Sequence, residues 1–377
     1  MEIKFCPNPS CRLHDPKVVV SHSSWHIHYG YHQTKVVGLV RRYKCKLCGK
    51  SFSDRTFDID YYTKKTIPYD QVFLRLATSE SVSGIGRNLQ VCAPSIQNRI
   101  DRLARESLAL HERLETHFAL QENLVADGFE SFDVSQFFPN NITILVGQDS
   151  QYLYGFTHTT IRRKGKMTRK QKEKRNALER RFRAPKAGIE TSFADLLKII
   201  FRVWNKIRLP SLSLMTDEHP SYPRAISRMP PLIDARHEGF FRHQQFPSTL
   251  ARTLQNPLFP VNYMDREFRK DLSAYHREST CFCRNVANGL NRLAIYQVWH
   301  NFIKPYRVKR PGGKLPPHGV QGGCDEGLLA VELGRLFTKR SFLSHLVMRE
   351  DRLKVWTKVA RTPLKERGDY LPKYAFV

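Results

Sequence analysis

No run of the chain approaches the roughly 18 consecutive apolar residues that a membrane-spanning helix requires. The opening MEIKFCPNPS contains no apolar core of signal-peptide length. The expectation is a soluble, cytoplasmic protein with no membrane partner. Acidic side chains are scarce: 35 Asp and Glu stand against 62 Lys and Arg, a net charge of +27. Such an excess opposes compaction by self-repulsion, and it makes sense when the partner is a polyanion, nucleic acid first of all. An anionic membrane surface comes second, but no basic amphipathic helix with an aromatic face supports it. Cytosolic thiols stay reduced, so eight cysteines do not read as a disulfide framework. There is no internal repeat, and 377 residues, 41% of them hydrophobic, suit two or three domains.

Four of the cysteines fall in the first 50 residues. Cys6 and Cys11 form a C-x4-C pair, and Cys45 and Cys48 a C-x2-C pair followed by Gly49. Two such pairs, each on a tight turn, can close a tetrahedron of thiolates around Zn2+. A segment this small has little core, so the metal would supply its folding energy. The stretch YKCKLCGKSF (43–52) is similar to the second half of a zinc ribbon. Histidines 14, 22, 26, 28 and 32 lie nearby, with surface or base-stacking roles expected.

The next segment reads as a helix-turn-helix. TIPYDQVFLRLATSE (66–80) fits a first helix begun by Pro68. A short helix over 83–90, a turn at 91–93 and a helix opened by Pro94 follow. In that last helix Ile96, Ile100 and Leu103 share one face. Ser95, Asn98, Arg102 and Arg105 lie off it and are expected to meet the major groove of double-stranded DNA.

Beyond residue 119 strands and helices mix. LVADGFESF (124–132) reads as a buried strand carrying Asp127, and ITILVG (142–147) and QYLYGFT (151–157) continue it as an antiparallel meander. In the last of these, Tyr152, Tyr154 and Phe156 alternate onto one side. AGIETSFADLLKIIFRVW (187–204) is a helix with an apolar stripe. SLSLMTDEHPSY (211–222) gives a short strand whose end presents Asp217. A basic insertion, 162–186, holds thirteen Lys and Arg against two Glu. Its first cations, Arg162, Arg163, Lys164 and Lys166, are expected on a DNA backbone. Residues 256–280 read as a helix entered through Pro260, where Asp265, Asp271 and Glu278 all flank the apolar stripe. Residues 284–307 form a long helix, and Cys281 and Cys283 are expected as buried free thiols.

Three strands with an Asp in the first, then a helix, then a strand ending in a second Asp resembles the ribonuclease H-like core of DDE/D insertion-sequence transposases. The resemblance covers roughly residues 1–305. It implies two Mg2+ ions held by an acid on the first strand (Asp127), one just after the fourth (Asp217) and one on a later helix. The stretch N-Y-M-D-R, with Arg269 one turn on and R-E-S-T-C-F after it, is similar to the pattern around the third acid. By that match the third acid is Asp265, although the family usually has Glu there, and Glu278 and Glu267 remain alternatives.

The expected organisation is therefore multidomain: a zinc ribbon (1–60), a helical helix-turn-helix domain (61–118), an α/β ribonuclease H-like catalytic domain with a mixed sheet (119–307), a Pro/Gly-rich linker (308–326) and a partly helical tail (327–377). The resemblance implies a transposase, nucleoid-associated and acting as a homo-oligomer on DNA, that binds the element's terminal inverted repeats and target. It would catalyse two-metal-ion strand cleavage and transfer. A non-catalytic DNA-binding regulator derived from such an enzyme is the alternative. A nuclease on the same fold and an RNA-processing protein stand further off.

Overall fold

The computed structural model of the chain describes residues 5–20, 24–132, 134–204, 210–276, 282–307, 315–366 and 370–377. The N-terminal part holds helix α1 (Pro16–Val20) and strands β1 (His26–Thr34), β2 (Gly38–Cys45) and β3 (Ser51–Ser53) in an antiparallel sheet of order β1-β2-β3. Its small core gathers Leu13, Trp25, Phe52, Phe57 and three of the four cysteines. Helices α2 (Tyr69–Ala77), α3 (Val82–Asn88) and α4 (Ala93–Glu115) follow. Ser81 caps α3 by accepting the N–H of Gly84, and Pro94 sits in the first turn of α4, as a helix start requires.

Five strands make the second sheet: β4 (Leu124–Ser131), β5 (Asn140–Gly147), β6 (Leu153–Thr160), β7 (Leu212–Asp217) and β8 (Phe241–Phe246). Their order is β6-β5-β4-β7-β8. The meander β4–β5–β6 is antiparallel, whereas β7 runs parallel to β4, and β8 parallel to β7. The intervening helices are α5 (Arg169–Glu179), α6 (Gly188–Trp204), α7 (Ser221–Ile226) and α8 (Pro230–His237). After β8 come α9 (Phe259–Asp271), α10 (Val286–Val298), α11 (His318–Gln321), α12 (Glu326–Leu336) and α13 (Glu350–Trp356).

The pleat divides the sheet's side chains between two cores. Leu124, Ala126, Leu145 and Leu214 pack on the face covered by α6, whose Phe193, Leu196, Leu197 and Ile200 are fully buried. Each such residue contributes about 1.5–3 kcal/mol. Val125, Phe129, Ile144 and Met215 pack on the other face with Val261, Met264 and Phe268 of α9 and Leu290 and Leu293 of α10. Tyr152, Tyr154 and Phe156 do not share a face. Val146 pairs with Leu153 and Leu145 with Gly155, which leaves Tyr154 as the extra residue of a β-bulge. The bulge sends Tyr152 and Tyr154 to the α6 side and Phe156 to the α9 side.

Three boundaries differ from expectation. The helices α2–α4 have no core of their own: Phe73, Ile85, Ile100 and Leu110 pack in one cluster with the β-sheet and α6. The segment expected as a linker is packed where it is described. His318 is fully buried, donating Nδ1–H to the Ser150 carbonyl at 2.8 Å, and stacks on His300 with centroids 4.0 Å apart. Residues 308–314 of that linker lie outside the described residues. The tail also belongs to the body. Arg352 of α13 is buried against Glu112 and Glu115 of α4, with Arg349 and Arg202 completing the cluster. Phe5 meets Phe342 edge-on at 5.0 Å, and the Ile59 N–H donates to the Thr338 carbonyl, so the tail fastens the cysteine-bearing sheet to the rest. Among the described residues no helix is long and apolar enough to cross a membrane.

Candidate functional site

The two strand acids come together. On the parallel pair, Leu124 lies opposite Leu214 and Val125 opposite Met215, so continuing the register sets Asp127 opposite Asp217. Adjacent strands are about 4.8 Å apart, and both side chains point to the sheet face that α9 covers. Burial, and then the charge of Asp217, push the Asp127 carboxyl up to about 6. Three groups work against that rise: the Gly128 N–H donating to Asp127 Oδ1 at 2.7 Å, the Tyr222 hydroxyl, and the positive charge of Arg252. A Cβ at Gly128 would come within 2.4 Å of Asn141 Nδ2 on β5, so any side chain there requires that amide to shift. Asp127 and Asp217 are both only partly buried at this end of the sheet.

Sequence reasoning did not single out Tyr222. After β7 the chain turns tightly: the His219 N–H donates to Asp217 Oδ1 at 2.9 Å, and Ser221 N–H to His219 Nδ1 at 3.3 Å. That turn starts α7 and returns the Tyr222 hydroxyl to 3.4 Å from Asp127 Oδ1, its ring lying on Phe193 with centroids 4.3 Å apart. The only signal was an aromatic residue one short turn after a strand-end Asp.

Asp265 sits on α9 between Val261, Phe268 and Leu272, the residues that bury against the sheet. One of its carboxylate oxygens is shielded from solvent. The helix is fixed over β4 by Phe268, edge-on to Phe129 at 5.5 Å, and by Arg269, whose guanidinium lies 4.6 Å from the Phe129 ring. Asp265 thus lies on the helix that packs over Val125 and Phe129, but among the described residues the four cysteines are the only group of three or more ligand side chains brought within metal-binding distance of one another. Glu267 turns elsewhere: it is buried against Lys270 at 2.7 Å and against Lys304, which hold its carboxyl below its usual range despite burial. Glu267 is therefore corrected from an alternative third acid to an ion-pair anchor between α9 and the end of α10. Glu278, and Cys281 with it, lie outside the described residues, while Cys283 is buried.

The cysteine cluster assembles as its spacing implies. The four sulfurs of Cys6, Cys11, Cys45 and Cys48 lie within 4.8 Å of one another, with Cys6–Cys48 at 3.6 Å and Cys11–Cys45 at 3.9 Å. Disulfide bonds would bring sulfurs to about 2.05 Å. A tetrahedron with Zn–S bonds of about 2.3 Å has edges near 3.8 Å. The group can hold a metal ion such as zinc. Gly49, at φ +70°, closes the second turn by donating its N–H to the Cys45 carbonyl at 3.0 Å, a left-handed position that suits glycine. His14 is not a surface group: it is buried, Nδ1 lying 2.7 Å from the Cys6 carbonyl and Nε2 2.7 Å from Ser344 Oγ.

Of the residues expected on DNA, Ser95 and Asn98 keep access at the start of α4. Arg102 and Arg105 do not, being 5% and 7% exposed. Arg102 donates to the carbonyls of Ile59 at 2.7 Å and Tyr61 at 2.8 Å, and to the Tyr374 hydroxyl. The assignment of these two arginines to the groove is corrected: α4 spans 23 residues, about 35 Å, and only its first turns project beyond the fold. The basic insertion is ordered. Thr168 and Gln171 form a capping box for α5, and Arg175 is buried, donating to the Arg163 carbonyl at 2.9 Å. Lys164 and Lys166 are exposed, Arg162 pairs with Glu179, and Arg163 donates to Gln136. The insertion leaves β6 at Thr160, which pairs with Asn140, which in turn pairs with Ser131; this is the end of the sheet toward which β4 and β7 carry the two acids.

No protein-family profile matches the chain, and no curated protein matches it significantly.

Proposed function

We propose that this chain is a DDE/D-type DNA transposase with a ribonuclease H-like core. The observation that carries the proposal is the closeness of Asp127 and Asp217 on neighbouring parallel strands, where the charge of Asp217 acts on Asp127, and Asp265 on the later helix is the third acid that the resemblance supplies. This is the strand, strand-end and helix origin of acids that the family resemblance implies. The basic insertion supports the reading because it rises from the acid-bearing end of the sheet. In this reading Asp127, Asp217 and Asp265 would hold Mg2+, which when bound supplies activation of water or a 3′-hydroxyl and stabilisation of the leaving oxygen.

The chain's own groups then have distinct tasks. Asp127 and Asp217 must be ionised to act as ligands. Tyr222 and the Gly128 N–H orient Asp127 by donating to its Oδ1. Lys164 and Lys166 meet backbone phosphates, and Asn98 with Ser95 lies where a major groove would be read. The cysteine-bearing sheet, held by zinc, and α2–α4 would bind the terminal repeats, with a homo-oligomer assembled on the two ends.

The test is incubation of the purified full chain with the DNA flanking its gene and Mg2+, scoring nicking and joining of 3′-hydroxyl ends. The expected result is both, with Asp127→Asn abolishing both while retaining DNA binding. Nicking without joining points to a nuclease. Binding without either reaction leaves a non-catalytic regulator.

A further inference from the structure

A groove of about 750 Å³ separates the β1–β2 hairpin and β3 from residues 61–64, the segment leading to α2. Lys35, Arg42, Arg55 and Lys64 line it, and no Asp or Glu does. Arg55 is engaged by Asp60 at 2.7 Å, whereas Lys35 and Lys64 are exposed. At the rim stands Tyr62, 82% exposed and at φ +64°, a left-handed backbone that a tyrosine rarely adopts. A strained backbone that holds an aromatic ring in water is a feature of binding sites rather than of a folding core. Thr63 beside it has a buried hydroxyl with no hydrogen-bond partner among the described residues.

Beside the groove, the same hairpin carries two further tyrosines that do not line it. Tyr29 and Tyr31 are about half exposed, at 45% and 51%, with Arg42 lying 5.1 Å from the first ring and Arg41 5.9 Å from the second. Accessible aromatic faces interleaved with cations, without acids between them, suit an unpaired nucleic-acid strand. Cations follow its phosphates and rings stack on its bases. A duplex keeps its base faces inside its own stack and offers such rings nothing.

We propose that this groove grips a single strand of nucleic acid, with Tyr62 stacking on a base and Lys35 and Lys64 meeting phosphates. The proposal rests on the reading of the chain as a nucleic-acid enzyme and assigns the cysteine-bearing module an unpaired strand as well as a duplex.

The experiment measures binding of the full chain to a short fluorescent oligothymidylate and to a duplex by anisotropy. Tyr62→Ala should weaken oligothymidylate binding about tenfold, as loss of one stacked base does, and leave duplex affinity within about twofold. Tyr62→Trp should preserve both. Lys35→Ala with Lys64→Ala should lower the salt slope for the single strand by about 1.4, two phosphates' worth. Thermal melts of each variant report folding, and Tyr62 has little packing to lose. Unchanged oligothymidylate affinity in Tyr62→Ala, an equal loss on duplex, or no binding of oligothymidylate by the parent chain would overturn the proposal. Metal-dependent cleavage lost in Asp127→Asn is a separate readout, so either reading can fail alone.

Discussion

Asp127 faces Asp217 across one parallel strand pair, and that proximity, together with burial, moves the Asp127 carboxyl from its usual 3.8 up to about 6. The shift has a definite sign. Between those two pH values the folded chain holds a proton that the unfolded chain has released, so stability falls as pH rises through the window and stays lower above it. In chelator at pH 7.5, Asp127→Asn should therefore stabilise the fold, by about 1 kcal/mol after allowing for partial solvent access. The gain should vanish below about pH 4. Chemical denaturation at both pH values checks this; a destabilised variant at pH 7.5 would contradict the repulsion.

Loss of the cysteine-bound metal should unfold the N-terminal sheet selectively. Its core consists of a few residues around Trp25 and Phe52 besides the cysteines themselves, too little to stand alone. Elemental analysis should find one zinc per chain. Cys45→Ser should abolish it, expose residues 24–57 to hydrogen exchange, and leave β4–β8 protected. Equal protection with and without zinc would show the ion to be dispensable.

Glu115 is the group whose removal should cost the most. It is 4% exposed and pairs with Arg349 at 2.9 Å and with Arg352, and these arginines hold its carboxyl well below the usual range against the effect of burial. Glu115→Gln leaves Arg349 and Arg352 with Glu112 as their remaining glutamate and should destabilise by about 1.5–3 kcal/mol, the range of a lost hydrogen bond to a charged group. Denaturant midpoints measure it, and a change under about 1 kcal/mol would mean that water reaches the cluster.

Acid should weaken the fold through its buried histidines, outweighing the opposite effect of protonating Asp127. His111, His158, His243 and His318 are each lowered from 6.5 to about 4 by burial, and His300 is driven further down by burial and by His318. Unfolded histidines take protons below 6.5 that the folded ones refuse, so stability is full above 6.5 and is lost as pH falls toward 4. Each contributes a slope of up to about 1.4 kcal/mol per pH unit. Folding free energies from pH 7 to pH 5 should fall accordingly, and His158→Gln should reduce the slope by one proton. A flat profile would contradict neutral burial.

The two kinds of α4 residue separate DNA reading from packing. Ser95→Ala should weaken duplex binding without moving the melting temperature, since its hydroxyl meets only the exposed Cys92 thiol. Arg102→Ala should lower the melting temperature, because the carbonyls of Ile59 and Tyr61 lose their donor. The reverse outcome would return the groove to Arg102.

Much of this was legible in the sequence because it depends on short-range pattern. Short apolar runs marked β4 and β5, the stripe at Phe193–Ile200 marked α6, and paired cysteine spacing marked the metal cluster. What was missed depends on partners distant in sequence. Strand β8, FRHQQF, has one mostly exposed face at the sheet edge, so it carries no apolar alternation. Arg102 and Arg105 looked polar-faced on a helix read alone, and only Ile59, Tyr61 and Tyr374 turn that face inward. The bulge at Tyr154 shifts the pleat in a run whose composition gives no sign of it.

The most direct test is a manganese titration of the full chain, with zinc retained at the cysteines, followed by electron paramagnetic resonance. Wild type should bind Mn2+ at a site that Mg2+ displaces, and Asp127→Asn and Asp217→Asn should each weaken that binding at least about tenfold, as removal of a metal-site group does. Undiminished binding in either variant would mean that the two acids do not share a cation, and the enzyme reading would fall with it.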